Sequence, residues 1–249
     1  MMQATPATFF DALKHTLFLF DLDDTLLDFR ASELLSFERT LRALGLQGDT
    51  GSLFQHYQAI NLALWRSFEA GAVTKDFLKV ERFRQTFLAA GLDLDPEAAS
   101  RLYLESLPQT VVLVDGARQL CETLAGIGEL GIITNGVDHI QQRRIASSGL
   151  AQTISFVATS EACGHAKPDI RFFDYAARMA RAFSREATVI VGDRLDADIL
   201  GANLFGIDSC WFNPGRLDNT SQATPSCEAA SLREVIPALE ALALAREAG

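Results

Sequence analysis

The sequence predicts an α/β fold: a Rossmann-like parallel sheet with helices on both faces and an inserted α-helical domain. Short apolar segments recur along the chain, and each of them ends in polar residues. Helix-like stretches separate these segments, and alternating strands and helices are typical of a parallel sheet. One long stretch instead carries apolar residues every three or four positions, which is the spacing of a helix face.

The first strand is predicted at residues 15–20, an almost continuously apolar run that leads into the acidic cluster at 21–25. Residues 131–134 and 187–191 repeat this pattern. A continuous apolar run fits a strand that is buried on both faces, and ligands of such sheets bind at the carboxyl ends of the strands. The remaining predicted elements are strands at 156–160 and 209–212, helices at 169–183 and 194–205, and, after a polar loop, one more short strand and a closing helix at 231–246.

Residues 28–108 are predicted to form the inserted helical domain, and residues 1–27 and 109–249 the Rossmann-like core. Thr74 is a predicted N-cap, and the sequence from Asp95 to Glu97 reads as N-cap, first-turn proline and first-turn acid. If the insert moves, its hinges are expected near 28–30 and 107–109, where it joins the core. Its predicted helix faces are Leu34, Phe37, Leu41 and Leu44; Leu53, Tyr57, Ile60 and Leu64; and Phe77, Val80, Phe83 and Phe87.

The formal net charge of −10 restricts the partners of the chain. General nucleic-acid binding needs a basic face, and a polybasic patch attaches proteins to anionic membranes. We therefore predict no nucleic-acid partner and no membrane partner. The 48% of apolar and 22% of charged residues are ordinary for a soluble globular protein. A monomer or a homodimer is expected, and the composition does not decide between them.

The cysteines are widely spaced and form no CxxC pair, which favours reduced thiols and a cytoplasmic location. No apolar run reaches about 18 residues, so no membrane span is predicted. The first fourteen residues lack the basic start and long apolar run of a signal peptide and are expected to be a short extra segment or a frayed terminus. The four cysteines are Cys121, Cys163, Cys210 and Cys227.

Aspartates lie at two of the predicted strand ends. Asp21 and Asp23 follow the first strand, Asp193 follows a later one, and Asp198 comes five residues after Asp193. The ends of parallel strands converge, and carboxylates this close repel each other unless a hard cation separates them. Mg²⁺ fits, because it takes one or two carboxylates together with waters and phosphate oxygens. Asp196, in the same loop, is expected to be solvated.

Three further residues are candidates to hold an anion. Lys167 follows the loop at 161–166 and, beside an acidic cluster, could hold a phosphate and steady the carboxylates. Thr134 and Asn135 end a strand, where a hydroxyl and backbone N–H groups at a helix start could cradle an anion. Taken singly, each is more often a surface residue or a helix cap. The histidines show no metal-ligand spacing, although one of them lies near Lys167: His15, His56, His139 and His165.

In this order the motifs resemble those of haloacid dehalogenase-type phosphatases. They stand as Asp21-Leu-Asp23-Asp-Thr25, Thr134-Asn135, Lys167-Pro168-Asp169 and Gly192-Asp193 with Asp198. The resemblance covers nearly the whole chain after the first fourteen residues and implies that the helical insert is the α-helical cap of that family. Any single motif is weak, whereas four in order are specific.

The resemblance also implies roles for these residues. Asp21 would be the nucleophile that becomes an aspartyl-phosphate, and Asp23 the acid and base. Mg²⁺ would be bound by the Asp21 side chain, the Asp23 backbone carbonyl and Asp193, with Asp198 supporting the metal site. The transferring phosphoryl group would be held by Thr134, Asn135 and Lys167.

A finer resemblance, to bacterial pyrimidine 5′-nucleotidases, rests on residues 57–61, Leu64-Trp65, residues 71–74 and residues 132–136. It implies a small phosphorylated substrate, a nucleoside monophosphate. Asn61 and Trp65 are the candidate specificity residues. Trp65 would stack on a base; the other interpretation is a packing residue of the insert.

Several alternatives stay open at this point. A phosphatase for sugar phosphates or phosphoglycolate is the main rival, and only the insert argues against it. A phosphomutase needs the same chemistry, and a non-catalytic binding protein could use the same scaffold. A true dehalogenase needs neither magnesium nor an acid at the second aspartate, so Asp23, Asp193 and Asp198 argue against it.

Overall fold

The computed structural model describes residues 13–247. Within that range six parallel strands form one sheet in the order β3-β2-β1-β4-β5-β6. The predicted α/β sheet is confirmed, and most of the first fourteen residues, expected to be an extra segment, lie outside the described residues. The strands are β1 Leu17–Phe20, β2 Glu129–Thr134, β3 Phe156–Thr159, β4 Thr188–Gly192, β5 Asp208–Phe212 and β6 Cys227–Ala229.

Alternate residues of β1 pack into different apolar clusters. Phe18 and Phe20 belong to one cluster, while Leu17 and Leu19 belong to another. All four side chains are buried. Because successive side chains of a strand point to opposite faces, helices must cover the sheet on both sides.

Four long helices between β1 and β2 form the insert, and six further α-helices, the first of them also before β2, accompany the sheet in the described range. Those of the insert are α1 Phe29–Ala43, α2 Gly51–Glu69, α3 Lys75–Ala89 and α4 Pro96–Ser106, followed by a 3₁₀ turn Leu107–Gln109. The others are α5 Ala117–Ala125, α6 Asp138–Ser148, α7 Ser160–Cys163, α8 Ile170–Met179, α9 Leu200–Phe205 and α10 Val235–Glu247.

The insert has an apolar cluster of its own, built around aromatic side chains. Tyr57, Phe37 and Phe83 are fully buried, with ring centroids 4.7 Å apart for Phe37 and Tyr57 and 5.3 Å apart for Tyr57 and Phe83. Val137 and Ile140, which belong to the Rossmann-like core at the start of α6, pack against the same cluster. This shared packing places the insert over the carboxyl ends of β1 and β2.

Both predicted helix starts in the insert are confirmed. The Thr74 hydroxyl accepts a hydrogen bond from Phe77 N at 3.2 Å, and the Asp95 carboxylate accepts one from Glu97 N at 2.9 Å. Such caps satisfy backbone N–H groups that the first turn leaves without a partner. Asp28, in the first predicted hinge segment, donates its backbone N–H to the carbonyl of Val112, three residues after the second segment, at 2.9 Å.

Some sequence expectations were wrong in detail. Leu34 and Phe77, predicted on buried helix faces, are 36% and 49% exposed, because the helices contact their neighbours over a narrower arc than their apolar stripes. The helix predicted at 169–183 ends at Met179. Part of the loop predicted at 161–166 is helix α7, which the Thr159 hydroxyl caps. Within residues 13–247, no helix has both the length and the apolar character needed to span a membrane.

Candidate active site

Three carboxylates meet at the carboxyl edge of the sheet. Asp21 follows β1, Asp193 follows β4, and Asp198 lies in the π-helical turn Leu195–Ile199. One oxygen atom from each carboxylate lies within 4.8 Å of the other two. Since β1 and β4 are neighbours in the sheet, the structure brings these three predicted residues together.

Gly192 makes room for Asp198. A Cβ atom at Gly192 would lie 2.4 Å from Asp198 Oδ2, a distance that real contacts do not reach. The same carboxylate oxygen accepts a hydrogen bond from the Arg194 backbone N–H at 3.1 Å. Trp211 Nε1 donates to the Asp193 carbonyl at 2.9 Å. Gly192, the last residue of β4, therefore leaves space for the Asp198 carboxylate, and Trp211 fixes the backbone of Asp193.

Lys167 is buried between two of the carboxylates, with 3% of its surface exposed. Its Nζ donates to the Asp21 carboxylate, to Asp198 Oδ1 at 2.6 Å and to the Ile133 carbonyl at 2.8 Å. These bonds use all three ammonium protons. The Asn135 side chain holds the Lys167 backbone, because its Oδ1 accepts from Lys167 N at 2.8 Å and its Nδ2 donates to Lys167 O at 3.2 Å.

The electrostatics show an excess of buried negative charge. Burial raises the pKa of Asp21 to about 7; Lys167 opposes this shift, and repulsion from Asp198 and Asp23 adds to it. Burial, followed by repulsion from Asp21 and Asp198, raises the pKa of Asp193 to about 9. Burial lowers the pKa of Lys167, but attraction to Asp198 and Asp21 holds it above its usual value. One lysine does not neutralise three carboxylates, so this donor set fits a divalent cation that takes oxygen ligands.

The turn between β1 and α1 presents Asp23. Asp24 in this turn has a left-handed backbone with φ of 58°, which short polar residues tolerate better than most. Its carboxylate accepts from Phe29 N at 3.0 Å, at the start of α1. The Asp23 carboxylate accepts from Arg144 Nη1 at 2.5 Å and from Gln141 Nε2 at 2.7 Å. Helix α6 therefore holds the side chain that the turn presents.

Thr134, the last residue of β2, and Asn135, which follows it, have different hydrogen-bond partners. The Thr134 hydroxyl accepts from Gly136 N at 3.1 Å and from Gln141 Nε2 at 3.0 Å. Among residues 13–247 it has no acceptor for its own proton, which leaves that proton free for a ligand oxygen. The Asn135 amide is occupied by the Lys167 backbone, so an anion near Asn135 would meet its backbone N–H rather than its side chain.

A cleft of about 530 Å³ separates these groups from the insert. Its far wall carries buried polar side chains, since Asn61 Nδ2 donates to Glu33 Oε1 at 2.8 Å and Arg82 Nη1 donates to Asn61 Oδ1 at 3.3 Å. Burial raises the pKa of Glu33 to about 7. Trp65 lies on the same wall, half-buried, with its ring edge-on to Phe68 at 5.7 Å between centroids.

Charged side chains of the insert also contact the core, and two of them reach the loop after β2. Glu69, at the end of α2, accepts from Arg194 at 2.5 and 2.9 Å and from Asn135 Nδ2 at 3.2 Å. Lys75, at the start of α3, donates to the carbonyls of Asn135 and Gly136 at 3.0 and 2.9 Å. The loop after β2 is thereby tied to the insert as well as to the core.

Comparison with known proteins identifies the family. Residues 15–206 match the family model for haloacid dehalogenase-like hydrolases. The chain belongs to the haloacid dehalogenase-like hydrolase family. The resemblance that the four sequence motifs indicated is therefore confirmed.

Relatives within the family are similar over most of the chain. The HAD-hydrolase YfnB of Bacillus subtilis is 36% identical over 217 residues, covering 87% of this chain and 92% of YfnB. The crystal structure of YfnB bound to magnesium, which reveals interdomain movement in that protein, matches with a TM-score of 0.84 at 35% identity over 90% of this chain and 98% of that one.

Two pyrimidine 5′-nucleotidases are also among the relatives. PynA of Streptococcus pneumoniae is 35% identical over 223 residues, covering 89% of this chain and 94% of PynA. YjjG of Escherichia coli is 32% identical over 186 residues, covering 75% of this chain and 82% of YjjG.

In this haloacid dehalogenase-like hydrolase the cleft is lined by the predicted Asp21, Asp23, Thr134, Asn135, Lys167 and Asp193, and on its opposite wall by Asn61 and Trp65. Asp198 lies behind them against Lys167, whereas Asp169 of the third motif caps α8. Asp196 lies outside it, as expected, and pairs with Arg194 at 2.8 Å with 69% of its side chain exposed. Two of the predicted non-ligand histidines are engaged elsewhere, since His15 contacts Asp208 at 2.9 Å and His165 lies 3.8 Å from Asp169.

Sequence reasoning missed the residues that surround the predicted ones. Gln141 and Arg144 carried one weak signal: Arg144 lies four residues after Ile140, on the buried face of α6, where an apolar residue is expected. Glu33 and Arg82 carried no comparable signal. Isolated charged residues on helices are normally solvated, and their partners come from other helices.

Proposed function

We propose that this chain is a Mg²⁺-dependent phosphomonoesterase that works through an aspartyl-phosphate on Asp21 and hydrolyses pyrimidine nucleoside 5′-monophosphates. The observation that supports it best is the joint placement of Asp21, Asp193, Asp198 and Lys167 at one strand edge, facing a cleft with a polar far wall. The similarity to PynA and YjjG supports the substrate class.

The proposed reaction has two steps. An oxygen of Asp21 attacks phosphorus, the bond from phosphorus to the 5′-oxygen breaks, and Asp23 gives that oxygen a proton. Asp23 then takes a proton from the water that attacks the aspartyl-phosphate, which releases phosphate and restores Asp21. Thr134, the backbone at Asn135, and Lys167 would hold the phosphoryl oxygens.

Charge counting supports the metal. Asp21, Asp193, Asp198 and a phosphate dianion carry five negative charges with Asp23 protonated, and Lys167 returns one. Mg²⁺ would be held by the carboxylates of Asp21 and Asp193 and the Asp23 backbone carbonyl, and it would supply charge neutralisation at the phosphoryl oxygens. Both Asp198 oxygens already accept hydrogen bonds, from Lys167 and Arg194 N, which supports a role for Asp198 in holding the metal site together.

The insert would act as the cap that recognises the nucleoside. Asn61 is fixed between Glu33 and Arg82, so its remaining hydrogen-bonding capacity has a defined direction. Trp65 offers an aromatic face or edge for a base. Movement of this cap about residues 28–30 and 107–109 is part of the proposal, supported by the interdomain movement of the relative YfnB. The cytoplasmic location and the monomeric or homodimeric state stay predictions.

Phosphate release from a panel of substrates, measured with Mg²⁺ and with EDTA, tests the proposal. The panel contains pyrimidine and purine nucleoside 5′-monophosphates, sugar phosphates and phosphoglycolate. We expect Mg²⁺-dependent release with the highest kcat/KM on the pyrimidine monophosphates. Preference for sugar phosphates or phosphoglycolate would keep the phosphatase and refute the nucleotidase. No release from any member by folded, metal-loaded protein would refute both and favour the mutase or the binding protein.

A further inference from the structure

Arg144 is an unusual residue for its position in the fold. It lies on α6 with 1% of its side chain exposed, and burying a guanidinium is costly unless it is paired. Within residues 13–247 its one ion pair is with Asp23, at 2.5 Å, and its Nε and Nη2 have no hydrogen-bond partner. Phe29, the first residue of the insert's first helix, covers the guanidinium at 5.2 Å from its ring centroid. Two buried guanidinium nitrogens without a hydrogen-bond partner cost folding free energy. This cost points to a functional reason for the arginine.

Gln141 completes the contact. Its Oε1 accepts from Arg144 Nη1 at 2.8 Å, which orients its amide so that Nε2 donates to Asp23 Oδ2 at 2.7 Å. The two side chains are three residues apart and therefore share a face of α6. A Cβ atom at Gly136 would lie 2.2 Å from Gln141 Nε2, so the glycine after Asn135 leaves the space in which the amide sits. Each oxygen of the Asp23 carboxylate thus has its own donor.

We infer that Arg144 and Gln141 are positioning residues for Asp23, and that they act on the reaction by fixing the orientation of its carboxyl group. This inference rests on the proposed role of Asp23 as the group that transfers protons. A half-buried aspartate on a turn samples several rotamers, whereas proton transfer to a leaving oxygen needs one geometry. Neither residue needs to contact the substrate. We expect Arg144 and Gln141 to contribute to kcat/KM whenever the leaving group needs a proton. This contribution should vanish when the Asp23 carboxyl group is absent.

The leaving group separates this role from a purely structural one. Uridine 5′-monophosphate releases an alkoxide, which needs protonation, whereas p-nitrophenyl phosphate releases a stable phenolate, which does not. The ratio kcat/KM reports steps up to the first irreversible one, here formation of the aspartyl-phosphate. We expect Arg144→Met to lower kcat/KM on uridine monophosphate by about 10²-fold, the usual effect of a misplaced catalytic group, and on p-nitrophenyl phosphate by only a few-fold. Gln141→Leu should also lose more on uridine monophosphate than on p-nitrophenyl phosphate, with an added loss common to both substrates because Gln141 Nε2 also donates to the Thr134 hydroxyl at 3.0 Å.

A double-mutant cycle provides the decisive comparison. Asp23→Asn alone should cost about 10²–10⁴-fold on uridine monophosphate, and adding Arg144→Met should cost nothing further, because the arginine acts through Asp23. Arg144→Lys, which keeps the charge, should recover part of the loss. Arg143→Met, on the exposed side of the same helix, is the matched control and should match the wild type. Thermal unfolding of each variant shows whether it is folded at the assay temperature.

The possible outcomes are distinct. Equal losses on both substrates, or a full Arg144→Met loss in the Asp23→Asn background, would overturn the inference, since they indicate a structural or substrate-binding role. A loss confined to KM would overturn it as well. If the wild type released phosphate from neither substrate, the proposed function itself would fail, and that result is visible before any variant is made.

Discussion

Replacing Asp193 by asparagine tests two properties of the acidic cluster: how much it destabilises the metal-free protein, and how much it contributes to Mg²⁺ binding. Burial and two neighbouring carboxylates raise the pKa of Asp193 to about 9. Its usual value, 3.8, applies in the unfolded chain. The native state therefore binds a proton that the unfolded chain has lost, over the whole range between these values. Stability that is present below pH 4 is lost as the pH rises towards 9.

The size of this effect follows from the proton affinity. Each pKa unit corresponds to about 1.4 kcal/mol, so keeping Asp193 protonated at pH 7 costs up to about 4 kcal/mol relative to the unfolded chain. Asparagine has the same shape and no such cost. Without metal, Asp193→Asn should therefore be more stable than the wild type at pH 7, by about 2–4 °C in Tm for each kcal/mol gained. At pH 4 the difference should disappear.

Magnesium should narrow the stability difference between the two proteins. A cation that binds only the native state adds RT ln(1 + [Mg²⁺]/Kd), which is about 2.7 kcal/mol at a hundred times Kd. The wild type should gain this stabilisation when Mg²⁺ replaces EDTA, and Asp193→Asn should gain little of it. Thermal unfolding followed by calorimetry or circular dichroism at pH 7, with EDTA or Mg²⁺ and constant ionic strength, measures both the stability difference without metal and the gain from Mg²⁺.

Asp196→Asn provides the control, because Asp196 lies in the same loop, pairs with Arg194 at the surface and is not part of the cluster. It should keep the Mg²⁺ response of the wild type and show no gain in the metal-free form. The reasoning would be refuted if Asp193→Asn kept the full Mg²⁺ response, or if it lost stability in EDTA at pH 7 while Asp196→Asn did not.

Three further substitutions test other parts of the molecule. Asp21→Asn should abolish phosphate release while leaving the protein folded, and substantial turnover in a clean preparation would contradict the nucleophile assignment. Lys75→Met removes the donor to two carbonyls of the loop after β2 and should lower the free energy of unfolding by about 1–3 kcal/mol; an unchanged denaturant midpoint would argue against this tie. Glu33→Gln should be more stable than the wild type at pH 8 but not at pH 5. Burial raises the Glu33 pKa to about 7, so the wild-type protein loses stability as the pH rises through that value. The exposed Glu122→Gln should change Tm equally at both pH values, and a Glu33→Gln effect that does the same would be contrary to the expectation.

The sheet and the carboxylate cluster could be predicted because each depends on local sequence. A strand buried on both faces must be apolar throughout, so residues 15–20 and 187–191 stand out in the sequence. Parallel topology then brings the ends of these strands to one edge. Asp21 and Asp193 meet there because β1 and β4 are also neighbours in the sheet. Lys167 could be added because the motif order is specific, although its exact contacts could not.

Asn61 was a candidate from the sequence, but its contacts in the polar wall of the insert could not be predicted, because the members of this wall come from three helices. Glu33, Asn61 and Arg82 lie on α1, α2 and α3, and their contact depends on how these helices cross. In sequence each is one polar residue on an amphipathic helix, where solvent exposure is the better expectation. The predicted faces of the same helices failed at Leu34 and Phe77 for this reason. The angle at which two helices pack decides which of their side chains are buried. The spacing of apolar residues along one helix carries no information about this angle.

The two carboxylates of the first motif are held by different kinds of partner, and this difference matches their proposed tasks. Asp21 is fixed by Lys167, which extends from the sheet edge and also contacts Asp198, so the nucleophile is held by the same groups that form the candidate metal site. Asp23 is held instead by α6, next to the first residue of the insert. A nucleophile must stay in place through both steps, whereas the acid and base must face the position opposite Asp21 from which the leaving group departs and at which the water attacks. Because the supports are separate, a substitution on α6 should alter the orientation of Asp23 without disturbing Asp21.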